Sequence, residues 1–298
     1  CLSILVAYFA AGLTVSKILH VNYLVKPKIK SLLEYVKNIK IGLANLAYFF
    51  VGIGIITILS HINSEVTISV AYMALKLYMI FIGVRRIIVQ SFFKEIKELQ
   101  QALKVDFLSM VAGIIFLSAF LFYPEVVISL IFDDSYIEFS TTFVVLGVAA
   151  FVSAATSSSG ARLLLHNKDK QFSANFIVGA IVTICSGICF SYFIADRPSL
   201  VVLSCLLGEL TISILNIFSL KEKNFLMDRF KIIYPVVLMA LVFYIIKMAF
   251  NENIWSFGVS IFLFSVLALL HSRRVLNSKT AKLAAILIAE VVLPTPPF

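Results

Sequence analysis

The sequence predicts an all-α polytopic membrane protein with about nine transmembrane helices, and three observations support this fold class. Of the 298 residues, 61% are apolar and 14% are charged, and the mean hydropathy is +1.02, whereas soluble domains are about 45–50% apolar and about 25% charged. The apolar residues form runs close to the roughly 20 residues that a helix needs to cross a bilayer. The runs are continuous, without the alternation that is typical of an outer-membrane barrel.

Nine apolar runs are predicted to span the membrane. In chain order they are 2–16, 41–60, 66–89, 107–123, 141–165, 172–194, 200–220, 232–250 and 254–271. The first run begins abruptly at Cys1, so we expect the chain to be the C-terminal portion of a longer protein. A tenth apolar stretch, 280–293, is too short to span and is followed by prolines, which is typical of an interfacial helix or a non-native tail.

The loops alternate in charge and thereby predict an orientation. The basic set contains 22 of the 25 Lys and Arg residues, in or beside the segments 17–40, 90–106, 166–171, 221–231 and 272–282. The other loops, 61–65, 124–140, 195–199 and 251–253, contain only Arg197. Under the positive-inside rule the basic set is cytoplasmic. The net charge of +9 therefore marks topology, and no nucleic-acid partner is expected, because such binding needs a folded basic surface.

Motifs for catalysis, metal binding or disulfides are not found in the sequence. The four cysteines lie mostly inside apolar runs, without CxxC spacing or neighbouring histidines. GxSxG, Walker A and HExxH patterns are likewise missing from the sequence. We therefore expect no enzyme activity, no metal and no cofactor, and functional residues are sought among polar side chains inside the spans, where they are energetically costly.

The third predicted span contains a polar and cationic face. Spacing of three and four residues places Lys76, Tyr72 and Arg86 on this face, together with Ser69, Met79, Gly83 and Gln90. One interpretation is a helix that lines a lumen and offers positive charge to an anionic substrate. The alternative is that Lys76 pairs with an acid and the arginines extend to the cytoplasmic headgroups. Arg85 lies on the opposite face and is predicted to be a lipid anchor.

Other predicted spans each contain a polar stripe, which favours a bundle around a hydrated cavity. The stripes are Gly42, Asn45, Phe49 and Gly52 in the second span, Asn175, Gly179, Thr183 and Ser186 in the sixth, and Cys205, Glu209, Ser213 and Asn216 in the seventh. Glu209 is an ion- or proton-coupling candidate, or a structural partner for a cation such as Lys76. In the fifth span, the small residues 153–161 that precede Arg162 predict either close packing or a bending element. Lys247, near the outer end of the eighth span, is expected to extend to the interface.

The segment 123–194 resembles the C-terminal lobe of the polysaccharide flippases of the multidrug/oligosaccharidyl-lipid/polysaccharide exporter superfamily. The resemblance rests on an external amphipathic stretch, VVISLIFDDSY at 126–136, and a cytoplasmic turn, RLLLHNKDKQF at 162–172. The sequences EYVKNIKIGLANLAYF and YMALKLYMIFIGVRRIIVQSFF are also similar to family helices seven and eight, so the similarity covers 33–218. The proline that often follows helix eight in the family is replaced here by the sequence SFFK at 91–94.

The resemblance implies a two-lobe flippase of which this chain supplies the second lobe. On that basis 1–16 would end a helix of the first lobe, 17–40 would be a basic cytoplasmic linker, 41–220 the six-helix lobe, 221–271 two additional helices and 272–298 a cytoplasmic tail. The implied function is transfer of an undecaprenyl-diphosphate-linked oligosaccharide, such as an O-antigen repeat unit, across the bacterial inner membrane. Lys76 and Arg86 match the family's cavity cations best.

Further expectations concern the site and the partners. Tyr72, Asn45 and Arg162 join Lys76 and Arg86 as candidates for the substrate pathway. Expected partners are the lipid-linked oligosaccharide, membrane lipids, a polysaccharide polymerase and chain-length proteins. Two alternative functions stay open: a cation-coupled multidrug or toxin extrusion transporter, which would place acids towards the cavity, and a membrane-embedded O-antigen polymerase, which would have a large external loop rich in arginine.

Overall fold

The computed structural model describes residues 29–221 and 225–275, with side chains at 39–221, 227–268 and 270–271, and these parts are helical without strands. The α-helices are α1 (Ile29–Val51), α2 (Ile55–Leu59), α3 (Glu65–Ser91), α4 (Leu99–Phe122), α5 (Pro124–Ile131), α6 (Ser140–Ala155), α7 (Ser159–Leu165), α8 (Asp169–Phe193), α9 (Pro198–Leu220), α10 (Phe225–Phe250) and α11 (Ile254–Val275). Short 3₁₀ helices occupy Glu95–Lys97 and Asp134–Phe139.

The chain divides into two compact units, Cys1–Lys40 and Ile41–Phe298. Of the first unit the structure describes residues 29–40, which form the beginning of α1. The predicted span 2–16, residues 17–28 of the basic linker and the tail beyond Val275 lie outside the described residues.

Six segments of the described chain are long and apolar enough to cross a membrane, which indicates a multi-pass membrane protein. They are Glu65–Ser91, Leu99–Phe122, Asp134–Leu165, Asp169–Phe193, Pro198–Leu220 and Met227–Phe250. The predicted count of about nine spans is not confirmed. The second and ninth predicted spans correspond to shorter apolar helices, Ile39–Val51 and Ile254–Ala268.

The second predicted span is interrupted at residues 52–54. The N–H of Gly54 donates to the carbonyl of Phe49 at 2.8 Å, five residues back, and ends the regular α-helical pattern. A Cβ on Gly54 would lie 2.5 Å from the ring of Phe49, so a side chain larger than hydrogen cannot be accommodated there without movement. After this turn, α2 buries Ile55 and Leu59 against α8.

The core lies where α3, α4, α6 and α9 meet, and α10 packs against the outer side of α4. Large side chains such as Tyr78, Phe107 and Phe143 are fully buried there. The close approach of α4 and α6 depends on Gly147, since a Cβ at this position would lie 2.8 Å from the Cα of Leu117. The fifth predicted span is divided between α6 and α7 by a break at Thr156 to Ser158.

Hydrogen bonds join four loops of the second unit in two pairs. The N–H of Ser64, the residue that caps α3, donates to Asp196 at 3.0 Å. Lys247 pairs with Glu252 at 2.7 Å, and the same carboxylate accepts the N–H of Glu125 at 3.1 Å. These bonds join loop 61–65 to loop 195–199 and loop 124–140 to loop 251–253. All four loops belong to the set that the charge pattern assigns to the external side.

Candidate functional site

A cavity of about 580 Å³ lies between α1, α3, α7 and α8, within the range of about 300–1,000 Å³ that is typical of ligand sites. Its polar wall contains two guanidinium groups and two amides, those of Arg85, Arg86, Asn45 and Gln90. Five aromatic rings form much of the remaining wall: Tyr48, Phe49, Phe93, Phe172 and Phe176. The cavity lies near the end of α3 and the start of α8, beside loops that the charge pattern predicts to be cytoplasmic.

Both arginines of α3 line the cavity, and for Arg85 the prediction of a lipid anchor was wrong. Arg85 Nη1 donates to the carbonyl of Ser153 at 3.2 Å and also to its hydroxyl, while Nη2 donates to the hydroxyl of Tyr48 at 3.0 Å. Arg85 thus points into the bundle and is held at two of its nitrogens. Arg86 is exposed on the neighbouring side of the helix and also lines the cavity.

Behind the cavity wall, Glu209 of α9 is buried, with 2% of its surface exposed. Its Oε1 accepts a hydrogen bond from the hydroxyl of Tyr48 at 2.8 Å and another from the hydroxyl of Tyr78. The hydroxyl of Tyr48 therefore accepts from Arg85 and donates to Glu209, so it connects the cavity to the buried carboxylate. The hydrogen-bond partners of Glu209 are thus two tyrosines. From the sequence, Lys76 was a candidate partner for this carboxylate.

The predicted polar face of α3 lies on the surface of the second unit. Its seven residues are all exposed: Ser69, Tyr72, Lys76, Met79, Gly83, Arg86 and Gln90. Met79, Arg86 and Gln90 line the cavity, whereas Tyr72 and Lys76 lie beyond its lining. The Nζ of Lys76 stands 4.6 Å from the ring centroid of Tyr72, in a cation–π arrangement.

The two other pathway candidates take different positions. Asn45 of α1 is exposed and lines the cavity. Arg162 of α7 is buried, with 6% of its surface exposed, and does not belong to the lining, although Ala161 and Leu164 beside it do. Arg162 is therefore a buried residue of α7 outside the cavity lining.

A buried ion pair holds the break between α6 and α7 beside the cavity. Asp106 accepts the hydroxyl of Ser157 at 2.9 Å and the N–H of Ser158 at 2.7 Å. Arg229 of α10 donates to Asp106 and also to the carbonyl of Ala155 at 3.1 Å, and both charged side chains are at least 96% buried. Because Ser157 lines the cavity, the pair fixes part of its wall.

Parts of the predicted polar stripes of α8 and α9 pair with each other and with the break between α6 and α7. The amide nitrogen of Asn175 donates to Asn216 at 2.9 Å, and the hydroxyls of Thr156 and Ser213 lie 2.8 Å apart. Asn175, Asn216 and Ser213 are buried. Within this contact, polar groups satisfy one another, as expected for helices that pack in a membrane.

Sequence reasoning missed Tyr48, Tyr78, Asp106 and Arg229. Tyr78 and Arg85 are seven residues apart and share a helical face, so one signal was present. Asp106 and Arg229 were counted with the basic loops, because each lies beside the start of an apolar run. Nothing in the local sequence indicates that the two side chains meet.

No protein-family model, curated protein or solved structure matches this chain. The described residues also contain no group of three or more His, Cys, Asp or Glu side chains that could hold a metal ion. The fold and the cavity together define a multi-pass helical membrane protein with a cationic, ring-lined cavity.

Proposed function

We propose that this protein moves an undecaprenyl-diphosphate-linked oligosaccharide, such as an O-antigen repeat unit, across the bacterial inner membrane for polysaccharide biosynthesis. The observation that carries the proposal is the pair Arg85 and Arg86, which lines a cavity of about 580 Å³ in a bundle of membrane-spanning helices. The sequence resemblance to polysaccharide flippases supports the same function.

Electrostatics explains why arginines in this place favour an anionic substrate. Moving an unpaired diphosphate into hydrocarbon costs on the order of tens of kcal/mol, so its path must supply positive charge and polar groups. A guanidinium group presents several N–H donors in a planar fork that fits phosphate oxygens. Because Ser153 and Tyr48 already orient Arg85, little side-chain entropy is lost when an anion binds to it.

The lining disfavours the main alternative function. A cation-coupled multidrug transporter is expected to place carboxylates towards its substrate, but none of the described lining residues is acidic. Glu209 lies behind Tyr48, where it is available for coupling to an ion rather than for contact with a drug.

A polysaccharide polymerase and chain-length proteins are proposed as partners that consume the translocated unit.

A transport assay in proteoliposomes tests the function. The full protein is reconstituted with a fluorescent lipid-diphosphate oligosaccharide, and the fraction that becomes accessible to a membrane-impermeant quencher is followed. We expect the double variant R85Q/R86Q to translocate at most about one tenth as fast as the unaltered protein, since both phosphate ligands are lost. The control K94Q removes a positive charge at an exposed position outside the cavity lining and should leave the rate unchanged. Equal rates for all three proteins would contradict the proposal.

Lys76 is tested separately in cells, because it lies on the exposed face of α3 but outside the cavity lining. If Lys76 guides the substrate along α3, a strain with K76Q will accumulate truncated lipopolysaccharide despite a normal protein level. Gel analysis of the polysaccharide provides the measurement. Full-length polymer in that strain would show that Lys76 does not belong to the substrate pathway. Arg85 and Arg86 would then be the proposed cations of that pathway.

A further inference from the structure

Three aromatic rings form a continuous wall that begins at Arg85. The ring of Tyr48 meets Phe176 edge to face, with centroids 5.3 Å apart and planes at 71°. Phe176 in turn lies 4.6 Å from Phe172, one helical turn earlier on α8. All three rings line the cavity and are partly exposed, so they offer surface to a ligand.

The position of this wall determines what could lie against it. The hydroxyl of Tyr48 accepts a hydrogen bond from Arg85, so the aromatic surface starts directly beside the guanidinium group. An anion bound by Arg85 would thus place the next group of the same molecule against Tyr48 and Phe176. That group must be compatible with apolar ring surfaces and also with the amides of Asn45 and Gln90, which line the same cavity.

A pyranose ring satisfies both requirements. Its faces present C–H groups that pack on aromatic rings, and its rim presents hydroxyls that exchange hydrogen bonds with side-chain amides. An isoprenoid chain would also pack on the rings, but it would leave the amides without partners wherever it displaced water, and this costs free energy. The combined lining therefore favours a sugar over a hydrocarbon chain.

We propose that Tyr48, Phe176 and Phe172 form the subsite for the first sugar of a phosphate-linked glycan. This inference rests on the proposed function, because it takes Arg85 as the ligand of the phosphate. The subsite would select substrates by the sugar next to the phosphate, independently of the length of the glycan beyond it.

Binding to the full protein in detergent tests the subsite with three probes: inorganic pyrophosphate, geranyl diphosphate and geranyl-diphosphate-linked N-acetylglucosamine. We expect the unaltered protein to bind the sugar-bearing probe most tightly. The variant F172L/F176L should weaken binding of that probe about tenfold, as for the loss of a stacking contact, and should change binding of geranyl diphosphate by no more than about twofold. The control F193L alters a phenylalanine of α8 that is 84% exposed and outside the lining, and it should change neither affinity.

A second variant, F172Y/F176Y, keeps both rings and should retain most of the affinity for the sugar-bearing probe, so a general folding defect is separated from loss of the rings. Equal losses for the two geranyl probes in F172L/F176L would overturn the subsite, because the rings would then hold the isoprenoid chain. If the unaltered protein binds none of the three probes, the proposed function itself fails. Phosphate binding without any preference for the sugar overturns the subsite alone.

Discussion

Tyr48 connects the cavity to a buried acid through a single hydroxyl group. A tyrosine hydroxyl can accept and donate a hydrogen bond at the same time, and here it accepts from Arg85 at 3.0 Å and donates to Glu209 at 2.8 Å. The negative charge of Glu209 therefore lies one side chain away from the guanidinium group that we assign to the phosphate. At low dielectric constant such a charge competes with a bound anion.

The substitution E209Q tests this competition. Glutamine keeps an oxygen that can accept from Tyr48 and Tyr78 but removes the negative charge, so we expect pyrophosphate to bind about threefold more tightly. Equilibrium binding to the full protein in detergent is the measurement. E125Q, which makes the same change at an exposed position outside the cavity lining, should leave the affinity as it is. Weaker binding by E209Q would show that the acid supports the cavity only through its structure.

At the scale of helices, two predicted spans are divided by breaks, and each break has its own cause. The turn after α1 follows from Gly54, which leaves room for the ring of Phe49. The break between α6 and α7 lies in a run of small polar residues, whose freed N–H and hydroxyl groups are satisfied by Asp106. Close packing, one of the two interpretations of this run, is present because Ala154 is buried against α4. The other interpretation, a bending element, stays a prediction.

The pair Asp106 and Arg229 should control the stability of the second break. R229M leaves a carboxylate buried without its main counter-charge, and we expect it to lower the free energy of unfolding by about 3 kcal/mol. The double variant D106N/R229M removes the buried charge but keeps an acceptor for Ser157 and Ser158, so much of the loss should be recovered. Unfolding in mixed detergent micelles measures both.

A matched control for this pair lies on the same helix. Lys231 of α10 pairs with Asp228 at 3.5 Å at the surface, and its side chain is 67% exposed. Exposed pairs contribute about 0–1 kcal/mol, so K231M should have little effect. If D106N/R229M were less stable than R229M, the buried charge would not be the source of the loss.

At the largest scale, a hydrogen bond between distant loops joins the end of α8 to the start of α3. Asp196, in the loop between α8 and α9, accepts the N–H of Ser64 at the start of α3. Desolvation, the largest single influence, acts to raise the pKa of Asp196, but the hydrogen bonds from Ser64 and Thr67 together outweigh it, and the pKa lies below its ordinary value of 3.8. A lowered pKa means that the ionised carboxylate stabilises the folded state at neutral pH, and that this contribution is lost as pH falls through the pKa of the folded state.

The variant D196N should therefore have a pH-dependent defect. We expect its thermal unfolding temperature to lie below that of the unaltered protein at pH 7, and the gap should close as the pH falls below 3.8. The effect will be small because Asp196 is exposed. E138Q alters an exposed acid in another loop that the charge pattern assigns to the external side, and it serves as the control. A gap that is constant with pH would assign the defect to a lost side-chain contact rather than to the charge.

Local patterns in the sequence were sufficient to predict the class of protein. Hydropathy within a window of about 20 residues depends only on neighbouring residues, and it predicted the six long apolar segments that the structure contains. The spacing of Lys76, Tyr72 and Arg86 likewise predicted a shared face on α3, because helical periodicity is a local property. The number of spans was less accurate, since a break such as that at Gly54 depends on what the turn packs against.

The cavity and its charges were decided by the tertiary structure alone. The hydrogen bond between Tyr48 and Glu209 joins residues 161 positions apart, and the pair Asp106 and Arg229 spans 123 positions. The pattern of α3 by itself predicted that Arg85 faces lipid. In the fold, Tyr48 and Ser153 from two other helices accept hydrogen bonds from its guanidinium group. A polar group in a membrane must find a partner, and the sequence alone determined that partners were needed, while only the packing of distant helices determined which ones.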